Sequence, residues 1–223
     1  MPVLDEAAIL GRALEALAPL RASGAEVIVA DGGSRDGSAE IAARGADRVI
    51  FAPRGRASQM NAGAEIARGE VLLFLHADTT LPQGALAAMA SAVAEGHPWG
   101  RFDVDISGGG AMLAVVARMM NLRSRLTGIA TGDQAIFVRR EVFVQVGGFA
   151  EIPLMEDVAL CKRLKAIAPP ACLRDRVTTS GRRWEKHGTL RTVLLMWRLR
   201  LAYALGADPR ALARRYHAGQ DAA

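Results

Sequence analysis

Residues 26–37 read Glu26-Val-Ile-Val-Ala-Asp-Gly-Gly-Ser-Arg-Asp-Gly37, and the fold turns on them. Glu26 to Ala30 is a short β-branched run, the pattern of a buried strand. Asp31 ends it and opens a Gly-rich turn; a helical pattern then runs to Arg44 and Gly45 stops it. The same alternation extends outward. Ahead of it, Ala7 to Leu20 sets Ile9, Leu10, Leu14 and Leu17 on one helical stripe. Behind it, Arg48 to Ala52 is a second strand and Arg56 to Arg68 a helix ended by Gly69. Val71 to Leu75 is a continuous apolar run, expected as a central parallel strand. Pro82 opens a further helix to Glu95. Strands alternating with helices of this length predict an α/β fold built on βαβ units.

The second half has another rhythm. Trp99 to Ile106 alternates, which predicts an antiparallel strand. Helices are expected over Ala111 to Arg125, Glu141 to Val146 and Met155 to Ala168, with a short strand at Gln134 to Val138. Gly188 to Gly206 is a long amphipathic helix, and Asp208 caps a final one with Pro209 at its first position. No repeat or low-complexity linker divides the chain, so 1–223 is expected to be one domain. Its parts are a nucleotide-binding half (1–98), an acceptor and catalytic half (99–187) and basic C-terminal helices (188–223).

Composition narrows the function. The 223 residues are 51% hydrophobic and 23% charged, which is globular and not disordered composition. Cys161 and Cys172 make neither a disulfide framework nor a zinc site by themselves, and reduced thiols in a cytoplasmic protein are the expectation. No leader peptide or membrane span is expected from the apolar runs. The formal charge is +5, and the surplus sits late: from Arg174 onward there are 11 basic and 4 acidic residues. Such a surface suits phosphate or an anionic membrane. An aromatic content of 5% argues against a nucleic-acid stacking platform, so no nucleic-acid partner is expected.

Three constellations carry chemistry. Asp31, at the carboxyl end of a strand, lies where ligands bind in open α/β sheets; it suits either a bond to a nucleobase or ribose, or a cap on its own turn. His76 and Asp78 follow an apolar strand, and alternation puts them on one side, where they could hold a divalent cation against a diphosphate. A hydrogen bond within the turn for His76 and a helix cap for Asp78 are the structural alternatives. Glu156 and Asp157 open a helix, where carboxylates suit the dipole. Helical neighbours diverge by about 100°, so only one can enter a cleft as a general base.

These motifs fall in a familiar order: Asp31-Gly-Gly-Ser-Arg-Asp-Gly37, Gly55-Arg-Ala-Ser-Gln-Met-Asn61-Ala-Gly63, Phe74-Leu-His-Ala-Asp78, Gly147-Gly-Phe149 and Glu156-Asp157. Together the chain resembles family 2 glycosyltransferases of the GT-A fold. Gly132-Asp-Gln-Ala-Ile-Phe-Val-Arg139, Pro153-Leu-Met-Glu-Asp157 and Thr179-Ser-Gly-Arg-Arg-Trp184 resemble the subgroup found near radical-SAM and selenium-associated genes, part of it assigned to arsenosugar biosynthesis. The resemblance implies a mixed central sheet flanked by helices, with a Rossmann-like nucleotide-binding half. It implies an inverting transfer from a nucleotide-diphospho-sugar to an acceptor hydroxyl, small-molecule or lipid, with Mg²⁺ or Mn²⁺. Asp31, Gly33, Ser34, Arg56, Asn61 and Asp78 would bind the donor, and Asp78 with His76 the metal. Asp157 would be the base beside Glu156. Asp133, Gln134, Arg183 and Trp184 would lie on the acceptor side.

The pattern departs in three places. Gly32 stands where the family carries a second acid. His76 stands at the first position of its Asp-x-Asp. Met1 stands directly before Pro2-Val-Leu-Asp-Glu6, so a nearly absent first strand is expected. A non-catalytic nucleotide-sugar binder is the alternative these departures allow. A nucleotidyltransferase is less favoured, because Pro2 to Leu20 lacks a Gly-rich activating loop, and no G-x-G-x-x-G follows a strand as a dehydrogenase would need. Along 188–206, Leu190, Leu194, Trp197, Leu201 and Leu205 form a stripe expected to pack on the domain. At most a salt-sensitive peripheral contact is expected through 188–217, at the inner face of a membrane.

Overall fold

A first strand, β1 (Pro2–Val3), is two residues long and pairs in parallel with β2 (Ile28–Asp31), Pro2 opposite Ala30 and Val3 opposite Asp31. β3 (Arg48–Phe51) pairs in parallel on the other side of β2. The computed structural model describes residues 1–108 and 110–221, without the side chains of 183, 187, 217 and 219–221. Helix α1 (Ala7–Ala22) buries Leu10, Leu14 and Leu17, the stripe its spacing predicts, and packs against α2 (Ser38–Gly45). α3 (Arg56–Ile66) lies on β1 and β2.

The second sheet has five strands in the order β4-β7-β6-β8-β5. They are β4 (Val71–Phe74), β5 (Thr79–Thr80), β6 (Trp99–Ser107), β7 (Ile136–Arg139) and β8 (Ala171–Ser180). Val71–Phe74 is therefore not a central parallel strand: its partner is β7, antiparallel, at the edge of this sheet. β6 runs antiparallel to β7 as expected, but its longer ladder is parallel, to β8, with a register shift between Phe102 and Asp103. The buried cluster around Val29, Leu75, Phe102 and Phe137 draws on both sheets, so one core joins them.

Helices α4 (Ala85–Ala94), α5 (Ala111–Thr127), α6 (Arg140–Gln145) and α7 (Glu156–Lys165) follow the expected segments, α4 starting three residues after Pro82. α5 is stitched to β6 by Asn121, whose amide exchanges hydrogen bonds with both the N–H (2.8 Å) and the C=O (2.9 Å) of Val104. The Gly147-Gly-Phe149 segment acts as an anchor. Phe149 packs edge-on to Phe74 at 4.7 Å and beside Phe143 at 5.6 Å. Asn61 of α3 clamps the same residue, accepting from the Phe149 N–H at 2.8 Å and donating to its C=O at 2.9 Å. Two partly buried hydrogen bonds and an aromatic cluster thus hold the start of the loop that leads into Glu156-Asp157.

The C-terminal helices are α8 (Arg182–His187), α9 (Thr189–Ala204) and α10 (Pro209–Asp221). α9 does not pack as expected. Thr192 and Leu199 face inward, with Leu195, Met196 and Tyr203 partly buried, whereas Leu190, Leu194, Trp197, Leu201 and Leu205 are all exposed, Trp197 by 59%. The inward face is one step round the helix, so periodicity found a stripe but not its cover. α5, in contact with α9, exposes a second stripe of Met112, Val115, Met119, Leu122 and Leu126.

Candidate active site

A cleft of about 1510 Å³ opens where the ends of the two sheets meet α3, α5 and α9. Pro2, Leu4, Glu6, Arg54, Arg56 and Gln59 line it, together with His76, Asp78 and Asp133 and with Arg123, Trp184, Trp197 and Arg200.

The Gly-rich turn after β2 is tied to the segment after β1. Asp31 is fully buried, and its Oδ1 accepts from the N–H of Gly33 and of Ser34, each at 2.7 Å. Ser34 Oγ in turn accepts from the Asp5 N–H at 2.9 Å, and Asp36 Oδ2 from the Ala7 N–H at 2.8 Å. Asp31 thus caps its own turn, the structural alternative allowed for it. Gln59, which sequence reasoning passed over, donates from Nε2 to the carbonyls of Val3 (2.7 Å) and Ala30 (2.8 Å), tying β1 to β2 at the cleft. A Cβ on Gly32 would lie 3.1 Å from that amide, so Gln59 occupies room where the family carries a second acid.

His76 and Asp78 do reach the cleft together, but through a turn after β4, closed by the Thr79 N–H on the His76 carbonyl at 3.1 Å, and not by strand alternation. His76 Nδ1 faces Asp133 Oδ1 at 3.7 Å. Gly132 is the hinge of the site. Its N–H donates to Asp157 Oδ2 at 3.0 Å, and a Cβ there would stand 2.6 Å from His76 Nε2. Gly132→Ala is therefore expected to push the imidazole aside and pull the N–H from Asp157. Turnover should fall by about tenfold or more, against a melting temperature lowered by only a few degrees; steady-state kinetics beside thermal melting checks it.

Gln134 is fully buried and spends its amide on Ser124 (3.1 Å) and on the Thr131 N–H (3.3 Å), so it shapes the turn that presents Asp133 and does not face the cleft. Asn61 likewise spends both ends of its amide on Phe149 and supports the site from behind. Trp184 is half-buried and lines the cleft. The Arg183 side chain lies outside the described residues.

Glu156 and Asp157 diverge as helical geometry requires. Glu156 Oε1 pairs with Arg56 Nε at 2.8 Å, its Oε2 is buried without a partner among the described residues, and burial, then the Asp157 charge, pushes its carboxyl up from the ordinary value. Asp157 is half-buried, and besides Gly132 it accepts from the Val158 N–H on Oδ1 at 2.7 Å. Local strain gathers here as well. The three described non-glycine residues with positive φ are Asp5 (54°), Ala135 (46°) and Met155 (70°). They sit beside Glu6, Gln134 and Glu156, and each holds roughly 1–3 kcal/mol that the surroundings must offset.

Among the described residues no three His, Cys, Asp or Glu side chains form a ready metal cage. A cation shared with a diphosphate asks for less: one or two carboxylates, with phosphates and waters completing the octahedron. Asp78 fits that part. The Glu6 carboxyl is pushed up, by burial first and by the Asp78 charge second, so two acids crowd one stretch of cleft and a cation would relieve them.

The fold is that of GT-A glycosyltransferases, and the family follows from the sequence match. The glycosyl transferase family 2 model matches residues 1–144, and the chain belongs to that family. It is 33% identical over 112 residues to a PGL/p-HBAD biosynthesis glycosyltransferase of Mycobacterium bovis (strain BCG / Pasteur 1173P2), a match covering 44% of this chain and 41% of the relative. The chain thus spans about two fifths of the length of the curated relatives it matches. Among solved structures, S. aureus TarS 1–349 superposes with a TM-score of 0.64 at 16% identity, over 86% of this chain and 62% of TarS. The mannosyltransferase PcManGT from Pyrobaculum calidifontis, in complex with GDP-Man and Mn²⁺, superposes at 0.63 and 18% identity, over 98% of this chain and 67% of that one.

Proposed function

We propose that this protein is an inverting glycosyltransferase that moves a sugar from a nucleotide-diphospho-sugar to an acceptor hydroxyl, with 1–223 as one catalytic domain. The observation that carries it is the convergence of Arg54, Arg56, Asp78 and Asp133 on one cleft, with Asp157 tied to the Asp133 turn through Gly132. Asp157 takes the acceptor proton as the hydroxyl oxygen attacks the anomeric carbon. The bond to the diphosphate breaks in the same displacement, and the nucleoside diphosphate leaves as an anion. Glu156 holds Arg56, which faces the leaving diphosphate. Asp78, with His76 beside it, would hold Mg²⁺ or Mn²⁺, whose charge would neutralise the leaving group. The chain's own part is positioning and fixed charge, the largest contributions open to such a site.

Asp31 shapes the turn that receives the base, and Ser34 and Gly33 extend it. Calorimetry with nucleoside diphosphates tests the donor reading. Binding should be Mn²⁺-dependent and about tenfold weaker, on the order of 1.4 kcal/mol, in Asp31→Ala. Unchanged affinity in that variant would remove Asp31 from the donor site. The longer strings around Gly132, Pro153 and Thr179 support placing the chain in the radical-SAM and selenium-associated subgroup.

A peripheral contact with an anionic membrane, at its inner face, is supported by the exposed apolar stripes of α5 and α9, two helices without an acid whose Arg118, Arg191 and Arg198 lie outside the cleft lining. A two-fold contact between copies through this face would set like charges together. No described helix is long and apolar enough to cross a membrane. Flotation with anionic liposomes should show binding that weakens in salt yet persists at 1 M, where the Debye length is about 3 Å. Binding should be lost in Trp197→Glu. No flotation, or a dimer in sedimentation that buries the stripes, would contradict this.

A further inference from the structure

Two arginines that line the cleft have buried nitrogens that the fold does not satisfy. Arg123 reaches the cleft from α5 and Arg200 from α9. Arg123 Nε and Nη2 and Arg200 Nε are buried, and among the described residues none of the three meets a hydrogen-bond partner. Arg56 is matched by Glu156 and Arg125 by Asp103, whereas Arg101, though paired with Asp103, leaves its buried Nε without a partner among the described residues and does not line the cleft. A buried donor without an acceptor is costly, more so when it is charged, so two such arginines in the lining of one cleft call for a ligand that completes them.

Position and charge say which ligand. Burial lowers the Arg123 guanidinium from its ordinary value, and the nearby Asp157 and Asp133 carboxylates oppose that shift, so Arg123 lies near the proposed base, as Arg56 does from α3. Neither α5 nor α9 carries a carboxylate of its own. A planar carboxylate is met well by one guanidinium fork, whereas donors from two helices suit a tetrahedral anion with three or four oxygens.

We infer that Arg123 and Arg200 form a subsite for a phosphate group carried by the acceptor, seating it so that its hydroxyl meets Asp157. This rests on the glycosyltransferase reading of the same cleft. The phosphate can belong to a water-soluble phosphorylated acceptor or to a lipid headgroup, since the exposed stripes of α5 and α9 flank the same mouth.

The test is calorimetry on the full chain, first with a nucleoside diphosphate and Mn²⁺ and then, with the donor end saturated, with two probes: glycerol 3-phosphate and short-chain phosphatidic acid below its micellar concentration. Wild-type protein should bind a phosphate probe without displacing the nucleotide. Arg123→Gln and Arg200→Gln should each weaken that binding about tenfold and leave nucleotide affinity within twofold, while Arg123→Lys should restore part of it. Equal affinity for the two probes assigns the phosphate to a soluble acceptor; a tenfold or greater preference for phosphatidic acid assigns it to a lipid. A phosphate probe that competes with the nucleotide, or that fails to bind the saturated wild-type protein, overturns the subsite. Wild-type protein that binds no nucleoside diphosphate at all fails the donor reading instead, so the two failures are distinct.

Discussion

Asp157→Asn should lower kcat by about 10³-fold while nucleoside diphosphate affinity stays within twofold, since general-base catalysis contributes roughly 10²–10⁴. The carboxylate is the group of the Glu156-Asp157 pair left to act on an acceptor: it is half-buried and turned by two backbone N–H groups, of Gly132 and Val158. Asn keeps the size but can accept only one of the two bonds, because its Nδ2 is a donor, and it cannot take the acceptor proton. Glu156 is engaged with Arg56, and Glu156→Gln should act differently. It releases Arg56 toward the diphosphate, which should alter donor affinity more than kcat. Steady-state kinetics on both variants, with nucleotide binding measured alongside, separates the roles. A Glu156→Gln enzyme as inactive as Asp157→Asn would transfer the base to Glu156.

Asp78→Ala should remove Mn²⁺-supported nucleotide binding, an expected loss of about 100-fold, or roughly 2.7 kcal/mol. His76→Ala should cost less, because Mg²⁺ and Mn²⁺ favour oxygen ligands and imidazole suits softer metals. The structure gives a second reason: His76 faces Asp133 at 3.7 Å and lies over Gly132, so its ring also steadies the acceptor turn. Removing it should therefore disturb turnover more than metal-supported binding. Titration of nucleotide with and without Mn²⁺ reads this directly, and intact metal dependence in Asp78→Ala would place the cation elsewhere.

Local pattern was a good guide where one face decides the outcome. Leu10, Leu14 and Leu17 predicted α1 because an amphipathic helix has one place to put such a stripe. Asp31, His76, Asp78 and Glu156-Asp157 drew attention because each sits at an element's end, where open α/β sheets hold ligands; of these His76 and Asp78 line the cleft, whereas Asp31 caps its own turn. Long-range pairing was not legible. The edge position of Val71–Phe74 depends on its register with β7, some 65 residues away, and an apolar run reads the same in any sheet. The α9 stripe misled for a related reason: spacing says which residues share a face, not which face the tertiary structure covers. Asn61 and Gln134 looked like ligand contacts because polar residues in a motif invite that reading, yet their partners, Phe149 and Ser124, become visible only in three dimensions. Arg123 and Arg200 belong to no motif, and only their burial singles them out.

The central claim is catalysis on a nucleotide-diphospho-sugar, and its most direct test is proton NMR of a donor panel with Mn²⁺ and either acceptor or water. The account predicts release of nucleoside diphosphate with inversion at the anomeric carbon, α-linked donor giving β product first, at a rate that collapses in Asp157→Asn. Tight donor binding with release no faster than in Asp157→Asn, or product of retained configuration, would contradict it.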